Sequence, residues 1–178
     1  MSKTLLPKLV MTDIDGVWTD GGMYYDRTGN EFKKFNTSDS AGVLFLRALE
    51  IPVAIITGEQ TEMVKARAEK LRIEHLFQGI SNKVAVAEVL CAKLKITLND
   101  TAYIGDDLND IALLGKVGVS GCPSNSPAYV KTTVDLITTK SGGEGAFREF
   151  VETVLTNAGK FDDALKAVVG NFNLPPGE

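Results

Sequence analysis

The sequence predicts an α/β protein built on a parallel sheet. Short apolar runs ending in turn chemistry alternate with stretches of helical period. The runs are apolar on both faces rather than alternating, the mark of strands buried between two helical layers. Hydroxyl or acidic residues stand within two residues of the ends of three of these runs, at the strand ends where open α/β sheets bind ligands.

The first run covers residues 8–12 and stops at Asp13, the second covers 53–56 and stops at Thr57-Gly58, and the third covers 101–104 and stops at Gly105-Asp106-Asp107. Residues 117–119 and 136–138 supply a fourth and a fifth, and a short strand is expected at Phe77. Helices are expected over 41–49, 61–71, 83–94, 109–114, 145–155 and 161–169. The alternation implies right-handed crossovers. An insertion interrupts it. Residues 21–25 and 31–35 flank the turn 26–30, a β-hairpin signal immediately after the first strand. It reads as a flap over the site or as a plain surface hairpin.

With 178 residues, the chain is expected to form one domain over 1–157, followed by a helix and tail over 158–178. A net charge of −4 gives no reason to expect a nucleic-acid or anionic-membrane surface. No apolar run reaches the length of a membrane span, and residues 1–7 lack a signal-peptide core, so the cytoplasm is the expected compartment. Cys91, in an apolar helical stretch, and Cys122, in a Gly/Pro-rich loop, form no metal or disulfide pattern.

Asp13 and Asp15 are the focus of the chemistry. Two carboxylates two residues apart repel each other when buried, and a divalent cation resolves that repulsion; hard oxygen donors suit Mg2+. A bend at Gly16 would bring both to one place, one attacking phosphorus and the other serving as acid. Thr57 offers a hydroxyl for phosphate oxygens, or else caps the helix that follows. Lys83 opens a helix, where a cation opposes the helix dipole, so a role in neutralising phosphate and nucleophile is favoured over a structural one. Asp106, Asp107 and Asp110 form either a metal site or an N-cap cluster.

Taken in order, Asp13-Ile14-Asp15-Gly16, Thr57-Gly58, Lys83 and Gly105-Asp106-Asp107-Leu108-Asn109-Asp110 resemble the four motifs of the haloacid dehalogenase superfamily. The resemblance implies Asp13 as nucleophile through an aspartyl-phosphate, and Asp15 as general acid and then base. It implies Mg2+ held by Asp13, the Asp15 carbonyl and Asp106, with Asp107 and Asp110 behind them and Thr57 on phosphate. Only residues 17–56 separate the first two motifs and 59–82 the next two, too few for a cap domain. Capless members with such a hairpin are the 3-deoxy-2-ulosonate phosphate phosphatases. The chain is similar to them over about residues 8–155, most specifically at residues 12–21, 35–42, 57–59 and 142–149. That similarity implies a homotetramer with sites at subunit boundaries.

The implied substrate is a small phosphorylated acidic sugar, with Thr37, Ser38, Asp39, Gly58, Glu59, Arg67, Lys70 and Arg148 as its contacts. The octulosonate enzymes commonly carry arginine after Thr-Gly, whereas Glu59 with Lys70 resembles the nonulosonate branch. Glu59, Arg67 and Lys70 are read as lining one accessible face, with surface ion pairing as the other reading for Lys70 and a plain helix-surface position for Arg148. The preferred substrate is therefore the nine-carbon 2-keto-3-deoxy-D-glycero-D-galacto-nononate 9-phosphate. The alternative is 3-deoxy-D-manno-octulosonate 8-phosphate. A phosphoacceptor signalling domain and a noncatalytic oligomeric binding protein are the rival classes. His75 is expected to be structural, and Trp18 and Tyr24 to pack the hairpin.

Overall fold

The computed structural model describes residues 4–172; residues 173–178, read above as part of a tail, lie outside it. Six parallel strands form the central sheet: β1 (Leu9–Thr12), β4 (Val53–Ile56), β5 (His75–Phe77), β6 (Thr101–Ile104), β7 (Val119–Cys122) and β8 (Leu136–Ile137). Their order is β5-β4-β1-β6-β7-β8, every pairing parallel. The chain leaves β1 toward β4 and β5, then returns to the other side as β6. The strand order therefore reverses between β1 and β6, and at such a switch point the carboxyl ends of neighbouring strands open a crevice.

Side chains alternate across the sheet as the two-residue period of a strand requires. Val10, Val53, Ile55, Ala102 and Ile104 face one core with α1 (Asp39–Ala48), α2 (Glu62–Lys70), α6 (Ala146–Asn157) and α7 (Phe161–Phe172). Leu9, Met11, Ala54, Ile56 and Tyr103 face the other with α3 (Lys83–Leu94) and α4 (Ile111–Leu114). The α7 helix joins the first core through fully buried Ala164 and an edge-on contact between Phe161 and Phe45 at 5.4 Å. Among the described residues no helix is long and apolar enough to cross a membrane.

The elements fall close to their expected places, with instructive exceptions. The fourth strand begins at Val119 rather than Val117, because Gly118 turns its N–H to the Leu98 carbonyl and lies against Asn99. The strand continues through Ser120, Gly121 and Cys122, all buried, so Cys122 is a core residue and not a loop residue. Small side chains hid that strand from a reading based on apolar runs. Pro127 precedes a short helix, α5 (Ala128–Lys131), which the sequence reading missed. Trp18 is fully buried and stacks on Phe147 at 4.6 Å, in the core rather than on the hairpin.

The hairpin is present as β2 (Tyr24–Tyr25) and β3 (Glu31–Phe32), shorter than expected, with a bridge between Thr19 and Phe35 at its base. Asp26 organises its turn by accepting bonds from the backbone N–H groups of Thr28 and Asn30 at 2.8 and 2.9 Å. This hairpin is the whole insertion between β1 and α1. Between β4 and α3 lie only α2 and β5. No cap domain is present among the described residues.

Candidate active site

The loop after β1 folds back sharply. The Asp13 N–H bonds to the Ile104 carbonyl, which extends the β1–β6 ladder by one residue. The Ile14 carbonyl then accepts the N–H groups of Val17, Trp18 and Thr19. Gly16 takes a φ of +84°, a conformation in which a side chain is strained. A Cβ there would also stand 1.9 Å from Asp106 Oδ2, so this glycine lets the β6 loop come alongside the β1 loop. The turn places Asp13 and Asp15 on one cavity, as the bend at Gly16 predicted.

That cavity, about 240 Å³, is lined by Asp13, Asp15, Gly16, Gly21, Thr57, Gly58, Glu59, Asp106, Asp107 and Asn109. It sits over the carboxyl ends of β1, β4 and β6. Thr57 is buried at the end of β4, its N–H on the Phe77 carbonyl. Helix α2 is capped by Thr61, which leaves Thr57 out of the capping role.

Beneath the cavity lies a closed charge network. Lys83 begins α3 and is fully buried, its Nζ 2.9 Å from Asp13 Oδ2 and 2.6 Å from Asp110 Oδ1. A buried ammonium is tolerated only when it is paired. Tyr103 donates its hydroxyl to Asp110 Oδ1, while Asp110 Oδ2 accepts the N–H groups of Asp106 and Asp107 at 2.8 and 3.2 Å. Every lone pair of Asp110 is thereby committed to holding the β6 loop and Lys83. Burial pulls Lys83 down, but Asp13 and Asp110 outweigh it and hold it above the ordinary lysine value.

Burial, with Asp110 beside it, lifts Asp13 to about 6 against the pull of Lys83. Asp106 is lifted to about 8 by burial and by the charges of Asp13, Asp110 and Asp107. Ligand oxygens of Asp13, Asp106 and Asp110 lie within 4.8 Å of one another. Asp106 Oδ1 is buried without any hydrogen-bond partner. An orphaned carboxylate oxygen beside a second carboxylate is what a hard divalent cation satisfies, so these residues fit Mg2+. With Asp110 committed elsewhere, Asp13 and Asp106 are the side chains free to hold it.

Lys33 is the residue that sequence reasoning missed. It projects from the base of the hairpin with its side chain only 6% exposed, and its Nζ lies 2.7 Å from Asp15 Oδ1 and 2.8 Å from Glu59 Oε2. No local motif announces it, since its partners are 18 and 26 residues away along the chain.

The remaining residues read as sugar contacts lie away from this cavity within the chain. Asp39 is fully buried, with Oδ1 accepting the Arg148 N–H at 3.0 Å and burial lifting it to about 6. Thr37 and Ser38 precede α1, where the Ser38 N–H bonds to Asn36 Oδ1. Arg67 donates to the Asn36 carbonyl and Ser40 Oγ, and lies 6.0 Å from the Trp18 ring and 5.8 Å from that of Phe35. Arg148 pairs with Glu152 at 2.7 Å. Lys70 is exposed at the end of α2. Glu59 precedes the Thr61 cap, so it stands outside the helix and does not share a helical face with Arg67 and Lys70.

Known proteins bear on this geometry. The haloacid dehalogenase-like hydrolase family matches residues 73–149. The 3-deoxy-D-manno-octulosonate 8-phosphate phosphatase KdsC of Escherichia coli K12 is 39% identical over 157 residues, 88% of this chain and 84% of its own. This chain belongs to the capless 3-deoxy-2-ulosonate phosphate phosphatases of the haloacid dehalogenase superfamily. Within that family, the KdsC of Haemophilus influenzae is 37% identical over 160 residues, 88% of this chain and 89% of its own. The structure of the Moraxella catarrhalis 3-deoxy-D-manno-octulosonate 8-phosphate phosphatase with magnesium, phosphate and KDO is similar at a TM-score of 0.86 and 37% identity. That match covers 97% of this chain and 95% of the other. A cobalt-bound form of the Haemophilus influenzae enzyme matches at a TM-score of 0.84 and 34% identity, over 92% of this chain and 96% of its own.

Proposed function

We propose that this phosphatase hydrolyses 3-deoxy-D-manno-octulosonate 8-phosphate, with Asp13 as nucleophile and Mg2+ as its cofactor. The observation that carries the chemistry is the Asp13–Lys83–Asp110 network beneath a cavity that Asp15 also lines. The substrate follows the relatives named octulosonate phosphatases, which this chain matches along most of their length. This departs from the nine-carbon preference drawn from Glu59 and Lys70. Glu59 is already paired to Lys33, and Arg67 is turned toward Asn36 and Ser40.

A carboxylate oxygen of Asp13 attacks phosphorus and the bond from phosphorus to the sugar oxygen breaks, with Asp15 giving its proton to the departing alkoxide. Asp15, now a carboxylate, takes a proton from water, which attacks the aspartyl-phosphate. The bond from phosphorus to Asp13 then breaks and inorganic phosphate leaves. Lys83 fixes the Asp13 carboxylate and offsets charge on the phosphoryl oxygens. Thr57 and neighbouring N–H groups hold the phosphate. Asp13, Asp106 and the Asp15 carbonyl would hold Mg2+, which would supply positive charge to a cavity whose carboxylates, Asp13, Asp106 and Asp107 among them, otherwise repel a phosphate.

We further read the hairpin as a flap and the chain as one subunit of a homotetramer. Met23, Tyr25 and Phe32 on the hairpin are 65%, 60% and 54% exposed, a costly arrangement unless something covers them. A neighbouring subunit would also be the route by which Arg67, Lys70 or Arg148 meets a sugar bound elsewhere.

Turnover of the eight- and nine-carbon ulosonate phosphates by the purified protein decides the substrate. The reading expects kcat/KM at least about tenfold higher for the octulosonate, the ratio given by about 1.4 kcal/mol of differential binding. A ratio reversed toward the nonulosonate would return the assignment to the Glu59–Lys70 argument.

A further inference from the structure

We propose that Lys33 is a positioning residue for the general acid, holding one oxygen of Asp15 so that the other faces the reacting phosphate ester. The inference rests on the mechanism proposed above, in which Asp15 protonates the leaving oxygen. Three observations carry it. Asp15 Oδ1 is anchored twice, by Lys33 Nζ at 2.7 Å and by the Thr19 hydroxyl at 3.3 Å. Asp15 Oδ2 is buried and has no hydrogen-bond partner, although the residue lines the cavity. Lys33 is itself fixed from the far side by Glu59 at 2.8 Å, and its side chain is almost fully enclosed.

A carboxyl group with both oxygens free rotates about its last bond and spreads its proton over many directions. Proton transfer requires the donor within hydrogen-bond reach of the leaving oxygen. An ammonium locked on Oδ1 commits Oδ2 to that task and removes the rotation. The lysine directly follows β3, so the same contact ties the hairpin to the catalytic loop. Lys34, the next residue, ties the hairpin to the 142–145 loop through Glu144 at 3.0 Å. The two lysines divide the work: Lys33 reaches into the site, and Lys34, whose side chain is 54% exposed, braces the base from outside.

Leaving groups that need no proton separate this role from a structural one. The substrates are aryl phosphates from phenyl to para-nitrophenyl, which carry no sugar, and kcat/KM reports the steps through leaving-group departure. In the wild-type protein the dependence on leaving-group basicity is shallow. In Lys33→Ala and Lys33→Met, phenyl phosphate loses at least about tenfold more than para-nitrophenyl phosphate, because only the first requires a well-placed proton. Lys33→Arg restores most of the lost ratio, and Lys33→Ala adds no further steepness in an Asp15→Asn background. Equal losses on all esters in both Lys33 variants would overturn the proposal, as would a steepening that persists undiminished on top of Asp15→Asn. The sugar assignment is tested separately. A wild-type protein active on aryl phosphates but inert toward the octulosonate would refute the substrate and leave the leaving-group result intact.

Discussion

The two walls of the cavity are built differently. On the sheet side, Asp13, Lys83, Asp110 and Tyr103 are buried, partnered to one another, and carried on strand ends and a helix start. On the hairpin side, Lys33 and Glu59 meet through an ion pair, and the hairpin leaves Met23, Tyr25 and Phe32 exposed. Phosphoryl chemistry tolerates little displacement of its groups, and under the proposed mechanism the rigid wall holds the nucleophile. The hairpin wall carries Lys33, which in the proposal above orients Asp15, beside exposed side chains that surface substitutions can reshape.

Substitutions on each wall test that division. Lys83→Met removes the one cation from a buried acidic cluster, and leaving such charges uncompensated costs about 3–5 kcal/mol. Urea unfolding without metal should show that loss. It should be larger at pH 8 than at pH 5, because protonation of Asp13 and Asp106 relieves the repulsion at the lower pH. A loss below about 1 kcal/mol would mean that the rigid wall is not held by charge pairing. Next in size, Asp15→Asn should lower kcat on the sugar phosphate by about 10²–10⁴-fold, the usual worth of a positioned general acid, while the fold survives by circular dichroism.

Metal dependence gives the third test. Asp13 and Asp106 titrate at about 6 and about 8 in the fold, above their ordinary value of 3.8. The folded protein therefore binds more protons than the unfolded chain across that window. The metal-free protein must lose stability as pH rises from about 4 to about 8. Mg2+ removes the repulsion, so its increase in Tm should grow with pH over the same range. Asp39, lifted to about 6 by burial, adds a decline of its own that Mg2+ does not reverse. A Mg2+ effect that shrinks as pH rises would contradict the assignment of these carboxylates.

The smallest effects belong to the hairpin surface. Tyr25→Ser should change monomer stability by no more than about 0.5 kcal/mol, as an exposed substitution does. It should nonetheless shift the oligomeric state in light scattering, if a neighbouring subunit covers that face. An unchanged mass would separate the exposed aromatics from assembly.

The rigid wall was legible in the sequence for a physical reason. Its residues stand at fixed offsets from apolar strands and helix starts, so Asp13, Thr57, Lys83 and Asp106 are located by the same pattern that locates the sheet. Tyr103 was read only as a strand residue, because its burial conceals the hydroxyl that serves Asp110. The hairpin wall was far less legible. Lys33 reaches partners distant in the chain, and its contacts with Asp15 and Glu59 exist only once the hairpin has folded. Glu59, Arg67 and Lys70 are grouped on one face by helical spacing, yet the cap at Thr61 separates the first from the other two.

The central claim is that Asp13 attacks phosphorus. Phosphate release from 3-deoxy-D-manno-octulosonate 8-phosphate with saturating Mg2+ should fall by at least about 10³-fold in a folded Asp13→Asn variant, the scale lost with a covalent nucleophile. Turnover by that variant within about tenfold of the wild-type rate would show that the nucleophile lies elsewhere and contradict the account.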